Sequence, residues 1–507
     1  MTEPIPETQF EAEQKRRLVK SMRLFDLVFF SIATVVSLDT IGQISQFGAE
    51  TFTWMLVLIP LFILPYGLLM AEMGSSYVAE GGPYHWMRLA WGRGWSALGA
   101  VLYWITNPLW LGGSLAFLAT AAWSRSIGYI ASGSVGDYAF KLTFVWVGIF
   151  AAIISLRRGK WIPSIGAFVK IGLVAVTCVT VIIYAIEHGV QGYGASHFSP
   201  TLAGFLGAVP ILVFALSGFE AETAAGEEMT DAKRDVPRSI GASAAVSVAC
   251  YLAPILAILL VVPVSSINGV SGFLDAAKTT FSVYGPARHV LFDVAALAFV
   301  FTLLTQGAAW MMGSDRVLAA AGLDGTFPRF FGVISPRFGT PVRVNLMSGV
   351  VATAFTCVAI NLASGSSAAA FTIVLTIAIS TVLLSYLIIY PAAVKLRYSQ
   401  PDTPRPYRVP GGLPGLWIAT GLALLFIALG SWVAVFPGTL ESILGISYDF
   451  RSVWGVSQAH YEALTLGTLA VISLLAATGC GLGSIQRRRE QRRSPAPTAD
   501  LQAEPAT

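Results

Sequence analysis

Apolar residues in this 507-residue chain gather into twelve blocks, each close to the ~20 residues that a helix needs to cross a bilayer core. The blocks run 24–46, 53–77, 96–123, 140–157, 163–185, 204–226, 240–263, 290–313, 342–363, 369–395, 414–436 and 462–484. In hydrocarbon every backbone polar group must find its partner inside the segment, so runs of this length form helices. Composition agrees, because 12% of the residues are charged, about half the ~25% of an ordinary soluble protein. That shortage of polar surface excludes a soluble enzyme and a nucleic-acid binder. The expected fold is an all-α integral membrane protein of twelve transmembrane helices.

Charge sets the orientation. With the N-terminus in the cytoplasm, 26 of the 32 Lys and Arg residues lie inside, against Arg125, Lys141, Lys278, Arg288 and Arg451 outside. This is the positive-inside pattern, and it places both termini in the cytoplasm of a multi-pass protein of the cell membrane. The net charge of +4 is then a topology signal before it is a partner signal. The Arg run in 487–493 obeys the same rule or touches anionic lipid. Residues 1–23 are too charged for a cleaved leader. Cys178, Cys250, Cys357 and Cys480 all fall in spans, with neither close pairing nor metal spacing, which argues against a disulfide framework. No nucleotide loop, nucleophile motif or metal-ligand spacing is found, so neither a cofactor nor a catalytic site is expected.

Two spans are interrupted by polar and flexible residues. In the first, Ser37-Leu38-Asp39-Thr40-Ile41-Gly42-Gln43 puts a carboxylate at mid-membrane; in the sixth, Ser217-Gly218-Phe219-Glu220 does the same, with Glu222 and Gly226 following. They stand five spans apart, the spacing of two inverted five-span repeats. Exposed backbone at membrane depth is tolerated only where it lines a cavity, and matched interruptions in two halves point to a transporter binding site. A glycine kink in each helix is the plain alternative. Lys170 lies in the middle of span five, where an unpaired ammonium costs about 2.5–3.5 kcal/mol, so it must face protein or water.

Four loop motifs carry a resemblance. After the second span comes Glu80-Gly81-Gly82-Pro83-Tyr84-His85-Trp86, ending at Ala90-Trp91-Gly92; after the sixth, Glu227-Glu228-Met229-Thr230-Asp231-Ala232-Lys233-Arg234-Asp235-Val236-Pro237-Arg238. After the eighth comes Asp324-Gly325-Thr326-Phe327-Pro328, with Gly339-Thr340-Pro341 beyond; after the tenth, Arg405-Pro406-Tyr407-Arg408-Val409-Pro410. In this order and at these loops the chain resembles the amino acid, polyamine and organocation transporter superfamily. It departs at Ala232, where the family has a proline, at Leu323, where it has an arginine, and in span one. There a Gly-x-Gly break is usual, and Asp39-Thr40-Ile41-Gly42 instead resembles the Asp-Thr-aromatic-Gly pattern of bacterial putrescine importers.

The resemblance implies a five-plus-five inverted-repeat core with helices one and six broken: a tail 1–23, repeats 24–185 and 204–395, appended spans in 413–484 and a tail 485–507. It implies alternating-access transport of amino acids or related amines, by proton coupling or exchange, with a small-molecule substrate as partner and no nucleic acid. A putrescine importer and a nutrient sensor on the same fold are the alternatives.

Substrate is expected at Asp39, Thr40, Ile41 and Gly42 of the first break and at Ser217, Gly218 and Glu220 of the second. Family positions add Tyr103 and Asn107 of span three, Phe214 as an aromatic closing over substrate, and Trp310 as a gating aromatic whose indole packs on an organic cation. Asp39 either pairs with a substrate ammonium or caps the broken half-helix. Glu220 carries a proton, contacts an amine or bonds the unwound backbone. Lys170 matches a position where some proton-coupled relatives carry Lys in place of a sodium ion, so Lys170 and Glu220 are the expected ion-coupling groups; a structural ammonium on the carbonyls of the first break is the alternative for Lys170. Glu72 and the Glu227–Glu228 pair are expected to bind Arg88, Lys233 or Arg234.

Overall fold

The computed structural model describes residues 8–158, 161–192, 194–263, 272–363, 367–454 and 456–493. Lys160 and the tail residues 1–7 and 494–507 of the sequence reading lie outside them. Among the described residues eleven helices are long and apolar enough to cross a membrane, and Leu202–Ala215 is a shorter apolar one. It makes the twelfth span, cut short by the interruption that the sequence places there.

In order, span one is the pair Leu24–Val35 and Leu38–Ser45, and span two is Ala49–Ser76. Gly82–Ser126 forms span three, Val135–Arg158 span four and Trp161–His188 span five. Span six is Leu202–Ala215, followed by the short turns Ala221–Ala224 and Gly226–Glu228. Ala232–Val261 is span seven, and Arg288–Leu323 is span eight, with Gly272–Thr280 lying before it. Val342–Ala363, Ser367–Ser399, Gly412–Val435 and Gln458–Arg493 complete spans nine to twelve. Span eight runs ten residues beyond the expected end at 313, so Arg316 is a buried helical residue and not a loop cation.

The break in span one is narrower than the sequence suggests. Only Val36 and Ser37 are extended, and Asp39 to Gln43 are helical. A helix end leaves four carbonyls without intrahelical partners. Here each is met. Beyond the last i→i−4 bond, from Val36 N–H to Ile32 O, Ala33 takes Lys170 Nζ at 3.0 Å, Thr34 takes the Trp310 indole at 2.9 Å and Val35 takes the Tyr251 hydroxyl at 2.8 Å. Lys170 also donates to Val36 O, and Tyr251 accepts from Ser37 N at 3.0 Å. Spans five, seven and eight thus hold the broken end.

Span six is held from other directions. The Tyr66 hydroxyl of span two accepts the amides of Gly218 and Phe219 at 2.8 and 2.9 Å and donates to Glu220. Further along, Glu222 accepts Ser31 of span one and Ser239 of span seven, each at 2.5 Å. Gly218 has φ +124°, where a side chain is strained, and a Cβ there would lie 2.8 Å from the Trp310 ring.

Ion pairs on the basic face differ from the expected ones. Glu72 binds Arg397, at 2.5 Å, with Arg405 at 3.6 Å. Glu227 binds Lys15, Glu228 binds Arg316 and Arg88 binds Asp324. Sequence neighbours are separated by the direction in which each helix leaves the membrane, and the partners come from distant spans.

Candidate functional site

The two breaks meet between spans three, eight and ten. Asp39 stands in the first turn of the second half of span one, where the positive end of the helix dipole favours a carboxylate. Ser37 holds the cap position, and its hydroxyl donates to Asp39 Oδ1 at 2.7 Å. Asp39 is therefore not itself the cap. Its Oδ2 is buried with no hydrogen-bond partner among the described residues. Ser37 in turn accepts from the amide of Gln306, whose oxygen accepts Lys170 Nζ at 3.1 Å. A continuous polar chain so joins Lys170 to Asp39.

Trp110 stands beside this acid and belongs to an aromatic cluster. Trp110 meets Phe214 edge to face at 5.7 Å and Trp310 at 6.4 Å, and Tyr103 lies 6.3 Å from Trp310. The Trp110 indole approaches Asp39, yet its N–H closes no hydrogen bond among the described residues. An acid with an open oxygen beside aromatic faces is suited to an organic ammonium: the oxygen offers a charge-assisted bond and the rings offer cation–π attraction. Asp39, Phe214 and Trp310 are 2%, 8% and 6% exposed, so the site is closed to both faces in this conformation.

Glu220 occupies a different environment. Besides Tyr66, it accepts Tyr103 at 2.9 Å and Tyr386 at 2.7 Å. Both oxygens are taken, so in this conformation the acid ties spans two, three, six and ten together and offers nothing open to a ligand. It reaches the unwound backbone through Tyr66. Tyr390 stacks on Tyr386 and Tyr66, extending the tyrosine cluster.

The remaining expected residues divide. Thr40 bonds back to Ser37 O at 2.8 Å and so stabilises the turn holding Asp39. Ile41 is buried in the same turn. Gly42 lies against the backbone of Gly272 and Phe273, a packing role away from the aromatic rings. Ser217, just past the helix end, bonds back to Val213 O at 2.6 Å, and Asn107 reaches Tyr103 O at 3.5 Å. Trp110, Gln306, Tyr66, Tyr251 and Tyr386 were not anticipated. Their partners are far away in the chain, and an aromatic or amide in an apolar run gives no sign of that.

The profile of the family described as amino acid permease matches residues 22–446. A probable agmatine/putrescine antiporter of Lactococcus lactis is 28% identical over 80% of this chain and 86% of its own length. A branched-chain amino acid permease of Bacillus subtilis is 22% identical over 86% of this chain and 93% of its own. A low-affinity putrescine importer of Escherichia coli is 27% identical over 43% of this chain and 49% of its own.

Proposed function

We propose, from the premise that the chain belongs to the amino acid permease family and is a membrane transporter and not an enzyme, that its substrate is a small organic amine. The ammonium binds Asp39 Oδ2 with Trp110, Trp310 and Phe214 around it. The observation that carries this reading is the open, buried oxygen of Asp39 beside Trp110, whose ring contacts Phe214 and Trp310. A substrate held only by its carboxylate would be repelled there. Names of two relatives, an agmatine/putrescine antiporter and a putrescine importer, support the same chemistry. The protein works in the cell membrane with its basic face and both termini in the cytoplasm, as the charge bias supports.

Transport alternates access to this site. Lys170 holds the inner half of span one and communicates with Asp39 through Gln306 and Ser37, so loading of Asp39 by a cation is felt at the ammonium. That arrangement favours exchange of one cation for another, with a proton on the Lys170–Asp39 chain as the alternative counter-ion.

The test is ligand-dependent thermal stabilisation of the purified protein, since a ligand of the folded state raises its melting temperature. Putrescine, agmatine, lysine and leucine are compared on the wild type and on Asp39→Asn. Asn keeps an oxygen for Ser37 and replaces the charged, open Oδ2 by an amide NH2. A hydrogen bond to an ion contributes about 1.5–3 kcal/mol, so amine affinity falls roughly 10- to 150-fold in the variant. Equal stabilisation of both proteins by an amine, or stabilisation by leucine alone, would overturn the reading.

A further inference from the structure

A second buried charge cluster lies far from the substrate site, where the loop between spans two and three meets the end of span six. Arg316 of span eight binds two carboxylates at once, Glu80 at 2.5 Å and Glu228 at 2.7 Å. All three residues are at most 4% exposed. The backbone fixes both acids. Glu80 pairs with Ala225 in an isolated bridge, and Gly81 N donates to Ala224 O at 2.7 Å. Gly81 has φ +73°, and a Cβ there would lie 2.2 Å from Ala320, so the Glu80 loop packs closely against span eight in this conformation. The carbonyl of Glu228 accepts the amides of Ser21 and Met22 at 2.9 and 3.0 Å, tying the N-terminal segment across the same place.

The charges do not balance. Among the surrounding groups, Glu227 and Glu11 of the N-terminal approach bind Lys15. Arg88 of span three binds Asp324. Asp315 turns away to Trp104, Asn345 and Ser348. Tyr84 bonds Thr326, and His85 lines the same space. Among the described residues Arg316 is the cation that both acids bind, and Glu80 Oε2 has no hydrogen-bond partner there. Two buried carboxylates on one guanidinium leave an uncompensated charge, which is strongly unfavourable. A proton removes it. A cavity of about 150 Å³, lined by Glu80, Lys15 and Arg88 among others, reaches the acid from the basic face and is large and polar enough to hold water.

We propose that Glu80, Arg316 and Glu228 form a proton-binding site that latches the gate on the basic face of the transporter. Burial raises Glu80 to about 8, with Arg316 opposing and Glu228 adding to the rise; burial raises Glu228 as well. When the gate opens, both acids meet water and return toward the ordinary ~4.3 of glutamate. The closed form has the raised pKa, so its proton-linked advantage is complete below about pH 4.3 and is lost as pH rises through about 8. The proton enters and leaves on one face. The latch therefore sets the open population of this gate by local pH and adds nothing to the driving force.

The experiment is hydrogen exchange on the full-length protein in detergent, following peptides over 77–84 and 221–230 at pH 6.5 and 8.5, corrected for intrinsic exchange. From pKa values near 8 and ~4.3, the open population rises roughly 20-fold between these pH values. Wild-type protection falls by about that factor. Glu80→Gln and Glu228→Gln each leave one acid per guanidinium and hold equal protection at both pH values. Wild-type protection that ignores pH would overturn the proposal, as would a variant that keeps the wild-type profile. Should one variant not fold, the other decides. The inference rests on the alternating-access reading for the nature of the motion; no substrate is used, so its failure leaves the amine site untouched.

Discussion

Replacing Tyr66 by phenylalanine removes one oxygen and three hydrogen bonds. The hydroxyl accepts from Gly218 N and Phe219 N and donates to Glu220. Tyr66 is fully buried, so no bulk water replaces it. Each stranded buried amide costs about 1–3 kcal/mol, which makes roughly 2–6 kcal/mol for the two amides alone. Tyr103→Phe is the matched control. It removes one donor from Glu220 Oε1, which keeps Tyr386, and a single net hydrogen bond contributes about 0.5–1.5 kcal/mol. Tyr66→Phe is therefore the more damaging by at least about 1 kcal/mol, several-fold in an opening equilibrium. Hydrogen exchange at Gly218 and Phe219 reads it directly, with thermal melting in detergent as the second measure. Equal exchange in the two variants would refute the accounting that makes Tyr66 the partner of the unwound backbone.

Lys170→Met deprives Ala33 O and Val36 O of an ammonium, at about 1.5–3 kcal/mol per bond, so amides in 33–38 exchange more than tenfold faster. Unchanged exchange there would show that the break stands without Lys170. Gly218→Ala places a residue at φ +124° and a Cβ 2.8 Å from Trp310. Left-handed backbone costs a side chain about 1–2 kcal/mol, so amine affinity in a binding titration falls roughly 5- to 30-fold; wild-type affinity would remove Gly218 from the site.

Much of this molecule was legible in its sequence because membrane depth penalises polarity. Asp39, Lys170 and Glu220 stand out in apolar runs; Lys170 and Glu220 each prove to be held by several partners, and Asp39 is held by Ser37 through one oxygen with the other left open. The breaks were legible for the same reason, though not their width: a run of polar residues does not say which of them leave the helix. Partners were not legible. Glu72 finds Arg397 across 325 positions, and Lys170 finds Gln306 across 136. Trp110 and Tyr66 look like ordinary packing residues until the fold sets one beside Asp39 and the other on an unwound backbone. Span six failed the length expected of a crossing helix because half of it is turns, which is a property of the break and not of its apolar content.

Glu222 has a mechanical consequence. Its two oxygens are shared between Ser31 and Ser239, while Tyr251 grips the end of the first half-helix and Tyr66 grips the second break. Spans one, two, six and seven are thereby bolted together at four points around their weakest stretches of backbone. None of them can slide alone without stranding a buried polar group. Flexibility that two broken helices would otherwise introduce is converted into the stiffness of a single lever, and its fulcrum lies beside the cargo.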